Sequence, residues 1–274
     1  MDLSDSHCHI QSIGAAIGDE SVVDKWVKAG ITDAGEVIAR ARNASVNKLI
    51  CVGCSLIDSQ LAVDFVSNRE GCWASVGIHP HEAGRYLNNK TAHSGMEALA
   101  LKPKVVAIGE CGLDYYYMHA SKPSQQALLR FQIELAVRQN LPLIFHVREA
   151  FDDFWPIFES YQNPDRPIRG VLHSFTDSQA NLERAIRHGL FIGVNGIATF
   201  TKEFAQSEIY RTIPAEFLLL ETDAPFLTPA PFRGSICEPY HIRVIAEQLA
   251  ELRKVPITIL AEATTRNVMR LFGI

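Results

Sequence analysis

Six side chains that can bind a divalent metal ion lie at or just after the ends of short apolar segments. They are His7, His9, Glu110, His146, His173 and Asp223. Imidazole nitrogens and carboxylate oxygens together suit zinc, manganese, iron and similar ions. His7 and His9 are two residues apart, so on a β-strand they face the same side, while Cys8 points away. A single histidine of this kind is more often a hydrogen-bonded strand end, but six such residues favour a metal centre.

The number of ligands predicts two divalent ions, because one tetrahedral ion does not use six. A carboxylate has two oxygens and can bridge two ions, which makes Glu110 the predicted bridge. One ion is predicted to be held by His7, His9 and Asp223. The other is predicted to be held by His146 and His173. Two ions about 3.5–4 Å apart activate a water and neutralise charge on the attacking and leaving oxygens. The set therefore predicts a hydrolase that uses Mg, Mn or Zn, with the identity of the metal left open.

Asp223 and Glu110 are the predicted catalytic residues. Asp223 follows an apolar segment and is followed closely by Pro225, which cannot continue a strand. A carboxylate that touches both metal and water can also take the proton of that water, so we predict that Asp223 is a general base. A structural salt bridge is the alternative for Asp223, and the role of Glu221, two residues earlier, is open.

These residues must be positioned by the elements that precede them. Short apolar, β-branched segments predict eight strands at about 2–6, 48–53, 73–77, 104–109, 142–146, 169–173, 190–194 and 217–221. Helical periodicity is clearest from Ser124 to Asn140 and from Tyr240 to Leu252. Strands that alternate with helices predict an α/β fold, a single (β/α)8 TIM barrel spanning residues 1–274 as one domain. An open doubly wound sheet is the alternative. In a barrel, the loops after the strands build the active site.

Composition limits the classes of function. The 274 residues carry 26 Lys and Arg against 31 Asp and Glu, a net charge of −5, which argues against a protein that coats nucleic acid. No segment is apolar for long enough to span a membrane. The N-terminus shows no secretory pattern, so we expect a cytoplasmic protein whose six cysteines are thiols. The pair Cys51 and Cys54 is interpreted as two small buried residues.

Five segments resemble a known family. They are SHCH at 6–9, GIHPHEA at 77–83, IGECGLDYYY at 108–117, LPLIFHVREA at 141–150 and LLLETDAPFLTP at 218–229. Their types and order resemble the TatD family of metal-dependent deoxyribonucleases, within the amidohydrolase-type barrels. The resemblance covers nearly the whole chain, and GExGLDY together with ETDAP is highly specific. It implies a two-metal hydrolase that acts on phosphodiester bonds of DNA, and the six ligands occupy the family's metal positions.

The chain departs from the family pattern at three places. It has HSFTD where members commonly have HCFSG, which brings in Ser174 and Asp177. Cys237 stands where many members have Asn, and Glu149 replaces an Asp. None of these changes affects a predicted ligand, so they bear on substrate preference more than on the type of reaction.

Two further side chains are predicted to contact substrate. His79, in a loop after the third strand, could donate to a phosphate or leaving-group oxygen. Arg148, two residues beyond His146, has a planar guanidinium suited to phosphate, although an ion pair with Glu149 or Asp152 is the alternative. Asp114 could orient a metal ligand, and the tyrosines at 115–117 could stack on bases or pack within their loop.

Three hypotheses follow. The first is a DNA phosphodiesterase that acts on exposed or single-stranded ends, with no membrane and no obligate protein partner indicated. The second is an amidohydrolase that cleaves a small-molecule amide, lactone or ester. Glu110 disfavours this hypothesis, because many such enzymes have a carbamylated lysine on strand four, where this chain has Glu110. The third is a non-catalytic binding protein, which six intact ligands disfavour.

Overall fold

The computed structural model describes residues 1–274 and contains eight β-strands in the hydrogen-bonded order of the sequence, β1 to β8. The strands are Leu3–Cys8 (β1), Val46–Val52 (β2), Cys72–Val76 (β3), Val105–Asp114 (β4), Leu143–Arg148 (β5), Gly170–Leu172 (β6), Phe191–Val194 (β7) and Leu218–Leu220 (β8). The strand pairs β1/β2, β3/β4, β4/β5, β5/β6 and β7/β8 are parallel. All eight predicted strands are present.

Helices connect these strands. They are Glu20–Lys28 (α1), Ala34–Asn43 (α2), Leu56–Val66 (α3), Ala83–Tyr86 (α4), Lys90–Ala100 (α5), Lys122–Gln139 (α6), Phe151–Ser160 (α7), Gln179–Arg187 (α8), Phe204–Thr212 (α9), Ile242–Arg253 (α10) and Ile257–Phe272 (α11). Eight parallel strands in sequential order that alternate with helices define the (β/α)8 TIM-barrel class, which confirms the predicted fold. No helix has the length and apolar character needed to cross a membrane.

The first of two compact units comprises residues 1–51 and 174–274. Within it, β1 pairs with β2 from Leu3↔Val46 to Cys8↔Cys51. The chain beyond β8 continues beside β1, with a parallel bridge between Cys8 and Ala224. Helices α10 and α11 pack against β1 and β8.

The second compact unit comprises residues 52–173. Its strand β4 begins at Val105 and extends to Asp114, five residues beyond the predicted end at 109, so Glu110 lies inside the strand. Gly112 permits this extension, because its φ is +153° and an added Cβ would lie 1.8 Å from the carbonyl oxygen of His146. That the two units behave as one domain stays a prediction.

His241 gives the first unit a predicted pH dependence. Burial lowers its pKa from 6.5 to about 4, although a backbone hydrogen bond with Glu238 acts the other way. Its Nδ1 accepts a hydrogen bond from the Glu238 N–H at 3.0 Å, which requires a neutral ring. Between about pH 6.5 and 4, His241 is protonated in the unfolded chain but stays neutral in the folded protein. Acid therefore favours unfolding through this group.

We expect the free energy of unfolding to fall by up to about 3 kcal/mol through His241 as the pH drops from about 6.5 to 4. The variant His241→Gln cannot titrate and should have a flatter profile across this interval. Urea titrations at several pH values measure the difference. Equal slopes for the two proteins would contradict the assignment.

Candidate metal centre

A first group of metal-capable side chains lies in the first unit and consists of His7, His9 and Asp223. Their ligand atoms lie within 4.8 Å of one another. The Oδ1 atom of Asp223 is 3.7 Å from Nε2 of His7 and 3.4 Å from Nε2 of His9. The two histidines are buried, whereas the Asp223 side chain is 17% exposed. The structure thus brings together three of the six predicted ligands, and Asp223 is the one that water reaches most easily.

Backbone hydrogen bonds explain how this group is assembled. The N–H of Asp223 donates to the carbonyl of His7 at 2.8 Å, and the N–H of His9 donates to the carbonyl of Ala224 at 2.8 Å. These bonds hold the segment after β8 against β1. Asp223 has a φ of +61°, in the left-handed region that Asp and Asn adopt more readily than most residues. The chain therefore bends at Asp223, beyond the end of β8, and the Asp223 side chain faces the two histidines.

Asp5 is a buried residue that the sequence analysis missed. Its carboxylate accepts hydrogen bonds from the N–H of Thr222 at 2.9 Å, from the Thr222 hydroxyl at 2.5 Å and from the N–H of His7 at 3.2 Å. Burial raises the pKa of Asp5 to about 7, although these hydrogen bonds oppose the shift. Asp5 fastens the segment that carries Asp223 to the strand that carries His7. Its signal in the sequence is a carboxylate inside a strand whose residues are all buried.

A second group lies in the second unit and consists of His79, Glu110 and His146, whose ligand atoms also lie within 4.8 Å of one another. Oε1 of Glu110 is 2.9 Å from Nδ1 of His146 and 3.7 Å from Nε2 of His79. Nε2 of His173 is 3.8 Å from the same oxygen. Glu110 is therefore the common neighbour of three histidines, and its role as a bridge between two ions stays a prediction.

Asp114 orients His146 from the side opposite Glu110. Its Oδ2 atom is 3.0 Å from Nε2 of His146 and 3.1 Å from Nε2 of His81. Burial lowers the pKa of His146, but its hydrogen bonds to the two carboxylates outweigh burial and raise the pKa overall. The same bonds lower the pKa of Asp114 against the effect of its own burial. The pocket therefore favours positive charge between Glu110 and Asp114, and Nδ1 of His146 is the nitrogen aimed at Glu110.

His79 has a different hydrogen-bond pattern from His146. Its Nδ1 accepts a hydrogen bond from the N–H of His81 at 3.2 Å. Burial holds the pKa of His79 well below its ordinary value, so the ring is neutral. A neutral ring that accepts at Nδ1 carries its proton on Nε2, the nitrogen that faces Glu110. His79 is thus suited to donate a hydrogen bond, although its position also allows it to bind a metal ion.

Two buried glutamines of α6 fix the loops of the second unit. Gln132 bonds both the N–H and the carbonyl of Ile78, at 2.8 and 2.9 Å, next to His79. Gln125 accepts from the N–H of Asp114 at 2.7 Å and donates to its carbonyl at 3.0 Å. Sequence reasoning took α6 as an amphipathic helix and assigned these residues no role. A polar residue on the buried face of such a helix is the signal that marks them.

The predicted burial of Cys51 and Cys54 is confirmed, and all six cysteines are buried thiols outside disulfide bonds. Cys54 also has a neighbour that was not predicted, because its thiol lies 3.6 Å from Oε2 of Glu110. The backbone of Cys54 is fixed in turn, since its N–H donates to Asp58 at 2.9 Å and its carbonyl accepts from His79 at 2.8 Å.

Arg148 lies at the end of β5 and is exposed. Its guanidinium stacks over the rings of Tyr116 and Tyr117, at 4.0 and 4.8 Å from their centroids. These contacts place the Arg148 guanidinium against aromatic rings, and its binding to a phosphate stays a prediction. Register pairs Arg148 with Asp114 on β4.

The departures from the family pattern have local structural roles. Ser174 donates its N–H to Glu221 at 2.6 Å, and its hydroxyl accepts from Asn195 at 2.8 Å. Asp177 accepts from the N–H of Ser178 at 2.6 Å, just before α8 begins. Cys237 is fully buried, and burial raises the pKa of its thiol well above its ordinary value.

The chemistry of both groups fits a divalent ion. Each combines neutral-capable imidazoles with a carboxylate, and each is largely buried, where uncompensated carboxylate charge is costly. Against the effect of burial, the carboxylates of Asp114 and Glu110 raise the pKa of His146, so they stabilise positive charge at this position. The two groups are thus sites at which a small hard or borderline cation can bind.

Comparisons with known proteins agree with this chemistry. Residues 4–273 match the family described as TatD related DNase. The chain is 35% identical over 243 residues to an uncharacterized metal-dependent hydrolase, YabD, of Bacillus subtilis strain 168, covering 89% of this chain and 94% of that protein. It is 33% identical over 247 residues to the 3'-5' ssDNA/RNA exonuclease TatD of Escherichia coli K12, covering 88% and 94%. The crystal structure of YjjV, a TatD homologue from Escherichia coli K12, has a TM-score of 0.83 at 27% identity, over 99% of this chain and 98% of that one.

Proposed function

Because the chain belongs to the family of TatD-related DNases, we propose that it is a divalent-metal-dependent hydrolase that cleaves phosphodiester bonds of DNA. The observation that carries the proposal is the pair of His and carboxylate groups, each with its ligand atoms within 4.8 Å of one another. We further propose that it removes nucleotides from single-stranded or frayed ends. The name of the Escherichia coli relative, a 3'-5' exonuclease of single-stranded DNA and RNA, supports this choice.

We propose one ion at the first group and one beside Glu110 of the second, where His173 would be a ligand in place of His79. His7, His9 and Asp223 would hold the first, and Glu110, His146 and His173 the second, with Glu110 as the predicted bridge. Bound ions would lower the pKa of an attacking water and neutralise charge that develops on the phosphate oxygens. The imidazoles of this set suit Zn and its carboxylates suit Mn or Mg, so the proposal covers Mg, Mn or Zn without choosing among them. The distance of 3.8 Å between His173 and Glu110 supports the inclusion of His173.

Asp223 is proposed to take the proton of the attacking water. A general base has to lie within hydrogen-bond reach of the proton that it removes, here that of a water. Asp223 meets this requirement best, since its side chain is 17% exposed while those of His7 and His9 are 0% and 4% exposed. Glu110, at 5% exposure, is better suited to hold charge than to exchange protons with solvent.

His79 and Arg148 are proposed to contact the substrate. The Nε2–H of His79 can donate to a phosphate or leaving-group oxygen, as its hydrogen bond at Nδ1 implies. Arg148 presents an exposed guanidinium at the end of the strand that carries His146, where it can bind a phosphate with two parallel hydrogen bonds. A chain with a net charge of −5 should hold DNA through such local contacts, and salt should weaken them. A cytoplasmic location and the lack of an obligate protein partner stay predictions.

The amidohydrolase alternative has less support. Ser174, Asp177 and Cys237, at which the chain departs from the family pattern, have local structural roles. The relatives that match most of the chain are called metal-dependent hydrolases and exonucleases.

The experiment that separates the two functions compares substrates. Metal-free protein is mixed with Mg, Mn or Zn and given an end-labelled single-stranded oligonucleotide, its duplex, and a panel of amides and lactones. We expect metal-dependent release of nucleotides from the single strand, more slowly from the blunt duplex. Faster turnover of a lactone or amide than of any oligonucleotide would overturn the proposal.

A further inference from the structure

A cluster of exposed aromatic and cationic side chains lies on the loop after β4 and the end of β5. We call Tyr116, Tyr117 and Arg148 the aromatic platform. The two tyrosine rings meet edge to face, with centroids 4.8 Å apart and planes at 88°. The Arg148 guanidinium covers both rings, at 4.0 and 4.8 Å from their centroids. The three groups therefore form one contiguous cluster of two perpendicular aromatic rings and a guanidinium.

The exposure of this platform distinguishes it from ordinary loop packing. Tyr116 and Tyr117 are each 53% exposed. Tyr115 differs from them, because its hydroxyl donates a hydrogen bond to Asp153 at 2.8 Å that fixes its ring within the loop. Large apolar rings exposed side by side interact poorly with water. Such exposed patches commonly mark a binding site. Arg148 has its charge available, because stacking leaves the donating edge of a guanidinium open.

Asp114 connects the platform to the second metal-capable group. Its Oδ1 atom accepts from the backbone N–H groups of Tyr116 and Tyr117, at 3.0 and 2.8 Å. Its Oδ2 atom faces Nε2 of His146 at 3.0 Å. One buried carboxylate thus fixes both the loop that carries the rings and a predicted metal ligand. The platform is held in a defined position next to the site.

We propose that the aromatic platform binds the unpaired base next to the scissile phosphate, with the base stacked on the ring of one tyrosine and in edge contact with the other, and a phosphate on Arg148. Aromatic rings hold bases of any type, because every base has a π-face. Bases inside a duplex are already stacked and paired, so they cannot occupy this surface. The platform would therefore select single-stranded ends without reading sequence. This inference rests on the proposed action on nucleic acid.

The test compares an oligothymidylate with an oligomer of equal length in which the bases next to the cleaved end are abasic. The quantity measured is the base preference, the KM for the abasic substrate divided by the KM for the thymidine substrate. The double variant Tyr116→Ala/Tyr117→Ala should lower this preference about tenfold. Tyr116→Phe/Tyr117→Phe keeps both rings and should retain the preference. Phe204→Ala removes an exposed ring outside the platform and should also retain it.

Two results would overturn the inference: an unchanged base preference in the double alanine variant, or an equal loss of affinity for the two substrates. Arg148→Ala should weaken the binding of both substrates, since the phosphate is present in each. If the natural protein cleaves neither oligomer, the proposed function fails instead. The base preference is then read from fluorescence anisotropy as a ratio of Kd values, and the same variants decide for or against the platform.

Discussion

Asp223→Asn is expected to lower kcat for oligonucleotide cleavage by at least about a thousandfold. The substitution removes the negative charge that would bind the first ion and the base that would accept the proton of the water. It leaves the backbone undisturbed, because Asn also adopts the left-handed φ of +61° found here. The hydrogen bond from the Asp223 N–H to the His7 carbonyl is retained as well.

Steady-state release of nucleotides at saturating metal measures this effect. Asp24→Asn is the matched control, since Asp24 lies on the exposed surface of α1 in the same unit and pairs with Lys28. The control should keep full activity. A rate for Asp223→Asn within tenfold of the natural protein would rule out Asp223 as general base and ligand.

Glu110→Ala is expected to lower activity by a similar factor, at least about a thousandfold, and also to reduce the bound metal. Glu110 is the carboxylate that lies within 3.8 Å of nitrogens of His79, His146 and His173. Its removal leaves the second group without a negative charge to offset that of a divalent ion. Loss of both ions would support a bridging role for Glu110, whereas loss of one ion would confine it to the second group.

Elemental analysis after exhaustive dialysis gives the number of bound ions. Glu97→Ala is the control, because Glu97 lies on α5 in the same unit and is exposed beside Arg138. It should retain the metal and the activity of the natural protein. Undiminished metal in Glu110→Ala would remove Glu110 from the set of ligands.

The sequence predicted the fold well because strand cores of β-branched residues and the helical period of α6 are local signals. Boundaries were less accurate where geometry depends on a neighbouring strand. The end of β4 is the clearest case: Gly112 allows the strand to pass close to His146, and only the pairing with β5 shows that it continues to Asp114. A glycine in a sequence is usually interpreted as the end of a strand.

The site was predicted in part. Its metal-capable residues were predicted because His and carboxylate side chains recur at strand ends, and five of the six predicted ligands lie in the two groups described above. Asp5 and Gln132 were missed, because they act through backbone groups of Thr222 and Ile78 that are distant in sequence. The orientation of Arg148 toward Tyr116 was also beyond the sequence, since it depends on the register of β4 against β5.

The most direct test of the account is a titration of metal-free protein in which bound ion and nucleotide release are measured together. We expect cleavage of a single-stranded oligonucleotide to appear as the second ion binds and to disappear again on chelation. Full cleavage activity with no ion, or saturation of activity with one ion per chain, would contradict the proposed two-ion hydrolysis of DNA.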